Sequence, residues 1–196
     1  MSRMTGRVAL ITGGASGMGA EDARVLAGEG AQVVITDVQE ELGRKVAAGI
    51  PGAEFLQQDV RDEARWGEVI ADIIGRFGRL DVLVNNAGLV RFGNIEDISF
   101  EDARMQIDVA LYGAFLGCKT AIPAMSKDGT GSIINIASTS ALKGMSIIPA
   151  YSAAKGGIIA LTRSLAVHCQ EKGYGIRGRC HLNLRSGAPN GLSIAD

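Results

Sequence analysis

A chain of 196 residues with 46% apolar content can bury one sizeable core, and no repeat or linker divides it. Its net charge of −1 gives no electrostatic pull toward nucleic acid or an anionic membrane, so neither is expected as a partner. Three widely spaced cysteines without a CxxC pair predict free thiols in a reducing, cytoplasmic setting.

Residues 1–5 lead straight toward a strand with no signal-peptide pattern, and no apolar run is read as long enough to cross a membrane. Residues 8–11 are a short continuous apolar run, the mark of a strand buried on both faces. A glycine-rich turn follows, then a helix carrying Ala23, Leu26 and Ala27. Residues 33–37 form the second strand, 40–49 a solvated helix and 53–58 a third strand ending at Asp59. In the next helix Trp66, Val69, Ile70, Ile73, Ile74 and Phe77 make one apolar stripe, so Trp66 belongs to the core. Strand four covers 80–84, a long helix 100–125, strand five 131–136 and a last helix runs from about 150 to 172. This β-α alternation predicts an α/β fold: a doubly wound parallel sheet (Rossmann-type) in three α/β/α layers. Ligands of such sheets sit beyond the carboxyl ends of the strands, where strand order reverses.

The unusual sequence falls at those ends. Gly13, Gly17 and Gly19 let the first turn approach a pyrophosphate, favoured by the following helix N-terminus. On the last helix Tyr151 and Lys155 are four residues apart and share a face. A phenol has a pKa of about 10; a nearby ammonium favours the phenolate, which makes the pair a plausible acid/base device. Of the two histidines, His168 reads as a helix-end residue; with no third ligand at sensible spacing, no metal site is predicted.

The turn from Thr12 to Gly19, Asp59-Val60, Asn85-Asn86-Ala87-Gly88, Ser138, and Tyr151 with Lys155 together resemble the short-chain dehydrogenase/reductase family over about residues 5–177. The resemblance implies a dinucleotide held by Gly13, Ser16, Gly17, Met18 and Gly19 of the first turn. Asp37, 18 residues after Gly19, would accept the ribose hydroxyls and repel a 2′-phosphate, and Val38 follows where NADP users carry a base; NAD is the expected cofactor. Asp59 would bond the adenine amine, Val60 would pack on the ring, and Asn86, Ala87 and Gly88 would floor the ribose. The implied catalytic set is Ser138, Tyr151 and Lys155. Ser138 lies 13 residues before Tyr151; Thr139 and Ser140 could serve as turn hydroxyls equally, and the family pattern favours Ser138.

Two departures stand out. Where the family shows Asn-x-x-Gly in the long helix, Ala110 precedes Gly113, and Asp108 lies on another face. After Arg177 the family's next strand, its Pro-Gly turn and its substrate-covering segment do not follow. The expectation is a 1–177 dinucleotide-binding and catalytic domain lacking its last family elements, with 178–196 an atypical tail arising from a frame change or truncation. Arg91 and Phe92 are read as candidates for the border of the substrate mouth, and residues 142–149, largely apolar, as its lining. The whole predicts a cytoplasmic NAD-dependent dehydrogenase acting on a lipophilic or cyclic secondary alcohol or ketone, similar to hydroxysteroid and dihydrodiol members, as a homodimer or homotetramer. The alternative is an NAD-binding chain impaired in turnover.

Overall fold

Two runs of aliphatic residues set the centre of the sheet: β1 (Val8–Thr12) and β4 (Val82–Asn85), buried along their whole lengths. In the computed structural model, which describes residues 2–183, they lie side by side in a six-strand sheet of order β3-β2-β1-β4-β5-β6. The others are β2 (Gln32–Asp37), β3 (Glu54–Gln57), β5 (Gly131–Ser138) and β6 (Ile176–Asn183), and all neighbours run parallel. Strand order reverses between β1 and β4, because the chain steps outward to β3 before returning to pair β4 with β1. That switch point is where the fold opens a crevice.

Helices cover both faces. α1 (Gly17–Gly28) and α2 (Glu40–Ala48) place Ala23 and Ala47 on Ile11, Val33, Ile35 and Val84. α3 (Glu63–Phe77) presents the expected stripe, with Trp66 fully buried against Leu10, Leu83 and Ile133 and its indole N–H donating to the Val60 carbonyl at 2.9 Å. Asp62 starts that helix by accepting from the Arg65 N–H at 3.1 Å, satisfying one of its orphan donors.

The long helix begins as α4 (Phe100–Ile107), widens into a π turn over Asp108–Tyr112, and continues as α5 (Gly113–Met125). Contrary to the sequence reading, the helical stretch Phe100–Asp128 is long and apolar enough to span a membrane, although 44% of its apolar window is buried inside the protein. A short helix, α6 (Ser140–Lys143), precedes α7 (Pro149–Glu171), whose buried stripe is Ala154, Ile158, Thr162, Leu165 and Cys169.

Strand β5 is longer than its apolar run suggests, so Ser138 closes the strand instead of following it. Strand β6 carries the chain six residues beyond Arg177, in register with β5 from Gly131↔Ile176 to Ser138↔Asn183. Ile176 is buried, and Gly178 and Cys180 line a cavity against α7, whereas Arg177, Arg179 and His181 are exposed. The strand is a period-2 pattern whose outward half is charged. The rest of the expected tail, 184–196, lies outside the described residues.

One carboxylate ties the entrances of the two central strands. Asp81 is 5% exposed, accepts from the Val8 N–H at 2.9 Å, and pairs with Arg7 at 2.6 Å and Arg79 at 2.5 Å. Burial alone would raise this carboxyl, but the bonds from Arg79 and Arg7 outweigh it and hold it below the usual range. Because the folded value is the lower one, the stabilisation is present above about pH 4 and is lost as pH falls through the folded value. Asp81→Asn should cost about 2 kcal/mol at pH 7, and urea titrations should show the gap to wild type closing below pH 4.

Candidate active site

At the carboxyl ends of the strands, a cleft of about 430 Å³ runs from Asp37 to Lys155. Every residue predicted to hold the dinucleotide lines it, except Gly19. Gly19 serves by closeness: a β-carbon there would collide with the Gly13 carbonyl oxygen and the Asn86 amide. Gly13 itself has φ +66, the left-handed region that favours glycine. The turn is stapled to the end of β4. The Asn86 side chain donates to the carbonyls of Thr12 (2.9 Å) and Gly13 (3.2 Å), while Thr12 Oγ1 accepts from the N–H groups of Asn86 and Ala87, both at 3.1 Å. Asn86 thus builds the turn as well as lining the cleft.

The two carboxylates of the far end are held differently. Asp37, buried at the end of β2, accepts from the Ala15 N–H at 3.1 Å through Oδ2 and from the Gln39 N–H at 3.0 Å through Oδ1. Asp59 is gripped by Arg61, with Nη2 at 2.5 Å and Nε at 3.0 Å from both oxygens. The hydrogen bonds from Arg61 hold its carboxyl below the usual range. Arg61 also lines the cleft and reaches the Met105 sulfur at 3.1 Å. Neither Arg61 nor Gln58, another lining residue, was picked out from the sequence. Arg61 follows Asp59 by two residues, the one signal that could have paired them.

At the near end, α7 brings Tyr151 and Lys155 together, with Lys155 Nζ 5.6 Å from the tyrosine ring centroid. Lys155 is 3% exposed and donates to the Ile136 carbonyl of β5 at 2.5 Å. Burial pushes its pKa down to about 8. Tyr151 is half-buried, and burial raises its phenol above the ordinary value, opposed by a hydrogen bond with Ser138. Lost solvation is the larger of the two influences on the phenol. Ser138 Oγ accepts from the backbone N–H and the hydroxyl of Ser140, at 3.2 and 3.0 Å. With both acceptor bonds filled, its own O–H is the group left to bond the Tyr151 phenol. Ser140 supports Ser138 instead of replacing it.

Ala110 sits in the π turn, 1% exposed, packed with Ala137, Ala154 and Ile158 behind the Tyr151 helix. Asp108 is paired with Arg104 at 3.4 Å. Of the residues expected around the substrate mouth, Met145 and Ile147 are partly exposed, and Gly93 N–H donates to the Ile147 carbonyl at 3.0 Å. Phe92 is 68% exposed, while Leu142 lines a separate cavity of about 340 Å³ with Thr162, Arg163 and Cys180. His168 packs edge-on to Tyr174, and among the described residues no His, Cys, Asp and Glu group is placed to hold a metal.

A parallel sheet that reverses beside a glycine turn, with serine, tyrosine and lysine gathered at its carboxyl ends, is the framework of a Rossmann-type oxidoreductase. The family model described as short chain dehydrogenase matches residues 7–180, and the chain belongs to that family. It is 42% identical over 177 residues to a 3-beta-hydroxysteroid dehydrogenase of Comamonas testosteroni, covering 90% of this chain and 69% of the relative. A trans-4-hydroxycyclohexanecarboxylate dehydrogenase of Sinomonas cyclohexanicum is 45% identical over 175 residues, covering 84% and 67%. A 2,5-dichloro-2,5-cyclohexadiene-1,4-diol dehydrogenase of Sphingobium indicum is 40% identical over 176 residues, covering 88% and 70%. The chain spans about two thirds of the length of these relatives.

The burial of Lys155 has a testable sign. Below about pH 8 the ammonium is charged in both folded and unfolded chains, and its burial costs stability in full. Between about 8 and its ordinary 10.5 the unfolded chain holds more protons, so this cost is relieved as pH rises. Lys155→Met should be more stable than wild type at pH 7, with the difference narrowing by pH 10 in urea titrations. A difference constant with pH would mean that the ammonium is not buried at a cost.

Proposed function

We propose that this chain is an NAD-dependent dehydrogenase that interconverts a secondary alcohol and its ketone on a lipophilic cyclic skeleton. That assignment rests on one observation: a half-buried phenol one helical turn from a buried ammonium, with Ser138 closing the neighbouring strand, in a cleft whose other end holds Asp37. The residues present fit the dinucleotide. The glycine turn leaves backbone approach at the N-terminus of α1 for a pyrophosphate, and Asp37 at the end of β2 would hold the adenosine ribose and disfavour a 2′-phosphate. Lys155 would hold the nicotinamide ribose. When bound, NAD supplies the hydride-accepting centre.

The chain's own groups handle orientation and the proton. Ser138 Oγ donates to the substrate oxygen, since its two acceptor bonds come from Ser140. Tyr151 Oη takes the hydroxyl proton, and the Lys155 ammonium favours the phenolate that must form. Residues 1–177 supply every group invoked. The relatives' names, a hydroxysteroid, a hydroxycyclohexanecarboxylate and a cyclohexadienediol dehydrogenase, support a cyclic substrate. Exposed Phe100, Tyr112 and Phe115 on the long helix and Val167 on α7 support a homodimer or homotetramer, and three free cysteines suit the cytoplasm.

A second reading, dinucleotide binding without turnover, is favoured by the apolar Ala110 packed against Ala154 and Ile158 of α7. Thermal midpoints with NAD or NADP, and NADH absorbance with cyclic and steroidal alcohols, separate the two. NAD should raise the midpoint more than NADP, and Asp37→Ser should narrow the difference. Oxidation should quicken from pH 7 toward 10, because only the ionised phenol accepts a proton and burial raises its pKa. Tyr151→Phe should lower kcat by about 10²–10⁴ with NAD binding retained. Stabilisation by NAD with no NADH formed in wild type favours the second reading.

A further inference from the structure

The chain leaves β5 at Ser138 and turns at once into α6, which sets Ser140 against the serine two residues before it. Ser140 is 3% exposed, and its N–H and its O–H both end on one atom, Ser138 Oγ, at 3.2 and 3.0 Å. The turn itself is closed by backbone. The Thr139 carbonyl accepts from the N–H groups of Leu142 and Lys143, both at 3.0 Å, and the Ser140 carbonyl from Gly144 at 3.1 Å. Those bonds leave the Ser140 hydroxyl free for Ser138.

A serine oxygen accepts at two positions and has one hydrogen to give. With both positions on Ser138 taken by Ser140, its hydrogen is the part that bonds the half-buried Tyr151 phenol. The three hydroxyls form one directed chain, each donating to the next, from Ser140 through Ser138 to Tyr151. Direction matters to the proton. A donor onto the phenol oxygen favours the phenolate, whereas a group that accepts from the phenol O–H favours the neutral form. Donors bonded to Ser138 also polarise its O–H and strengthen the bond it makes onward. Without the Ser140 hydroxyl one acceptor position on Ser138 opens, and the serine is free to turn and accept from the phenol.

We propose that Ser140 is a positioning residue for the proton step: it holds the Ser138 hydroxyl as a donor and so keeps Tyr151 ready to take the substrate's proton. Ser140 does not line the cleft and acts only through Ser138. The role rests on the dehydrogenase reading above, but the direction of the hydroxyl chain is measurable without cofactor.

Ultraviolet titration of tyrosinate in the ligand-free chain, with the Tyr151→Phe titration subtracted, reads the Tyr151 midpoint. Ser140→Ala should move that midpoint up by about half a unit to one unit. Ser140→Thr restores a hydroxyl and should return it to wild type. On a Ser138→Ala background, Ser140→Ala should leave it unmoved. If Ser140→Ala does not fold, Ser140→Cys, a weaker donor of similar size, should shift the midpoint in the same direction. In turnover the pH at half-maximal alcohol oxidation should move with the tyrosinate midpoint, whereas a merely structural role would lower the plateau and leave that pH in place. Midpoints unmoved in an active enzyme, or moved equally with and without Ser138, would overturn the Ser140 role alone. A wild type that shows the expected midpoints but forms no NADH with any alcohol would overturn the dehydrogenase reading, and the proton role with it.

Discussion

A buried lysine ammonium is the group around which the rest of the near end is arranged. Lys155 spends a hydrogen bond on the Ile136 carbonyl, which fixes α7 against the last turn of β5. That contact sets where Tyr151 stands relative to Ser138, because the serine closes the same strand. Burial acts on both groups but in opposite directions: it lowers the lysine and raises the tyrosine, since each loses solvation of its charged form. The phenol and the amine are thereby moved apart in proton affinity, the phenol holding its proton more tightly and the ammonium less.

The far end follows a different principle. Here the carboxylates are fully engaged, Asp37 by backbone N–H groups and Asp59 by Arg61, so their orientation is set before any ligand arrives. Pre-set acceptors cost nothing to reorganise on binding. Gln58 is the exception, a buried amide with neither end paired.

The long helix joins the two ends and carries the chain's main departure. Its π turn spans Asp108–Tyr112 and presents Ala110 to Ala137, Ala154 and Ile158, a small apolar packing layer directly behind the Tyr151 helix. The layer holds α7 firmly but offers no hydrogen-bonding side chain there.

Much of this was legible in the residues themselves. Continuous Val and Ile runs announced β1, β2 and β4, the 3-1-3-1 stripe announced α3, and the Tyr-to-Lys spacing alone put both groups on one helical face, because strand and helix periods are local properties of the chain. Tertiary structure decided what local pattern could not. It made Gly19 a packing contact for Gly13 and Asn86, paired Arg61 with Asp59, and continued β6 through Arg177 and Arg179 because β5 offered a free edge of matching register. It also set the direction of the Tyr151 and Lys155 shifts, since burial depends on what the rest of the fold packs over a side chain, and no spacing in the sequence carries that information.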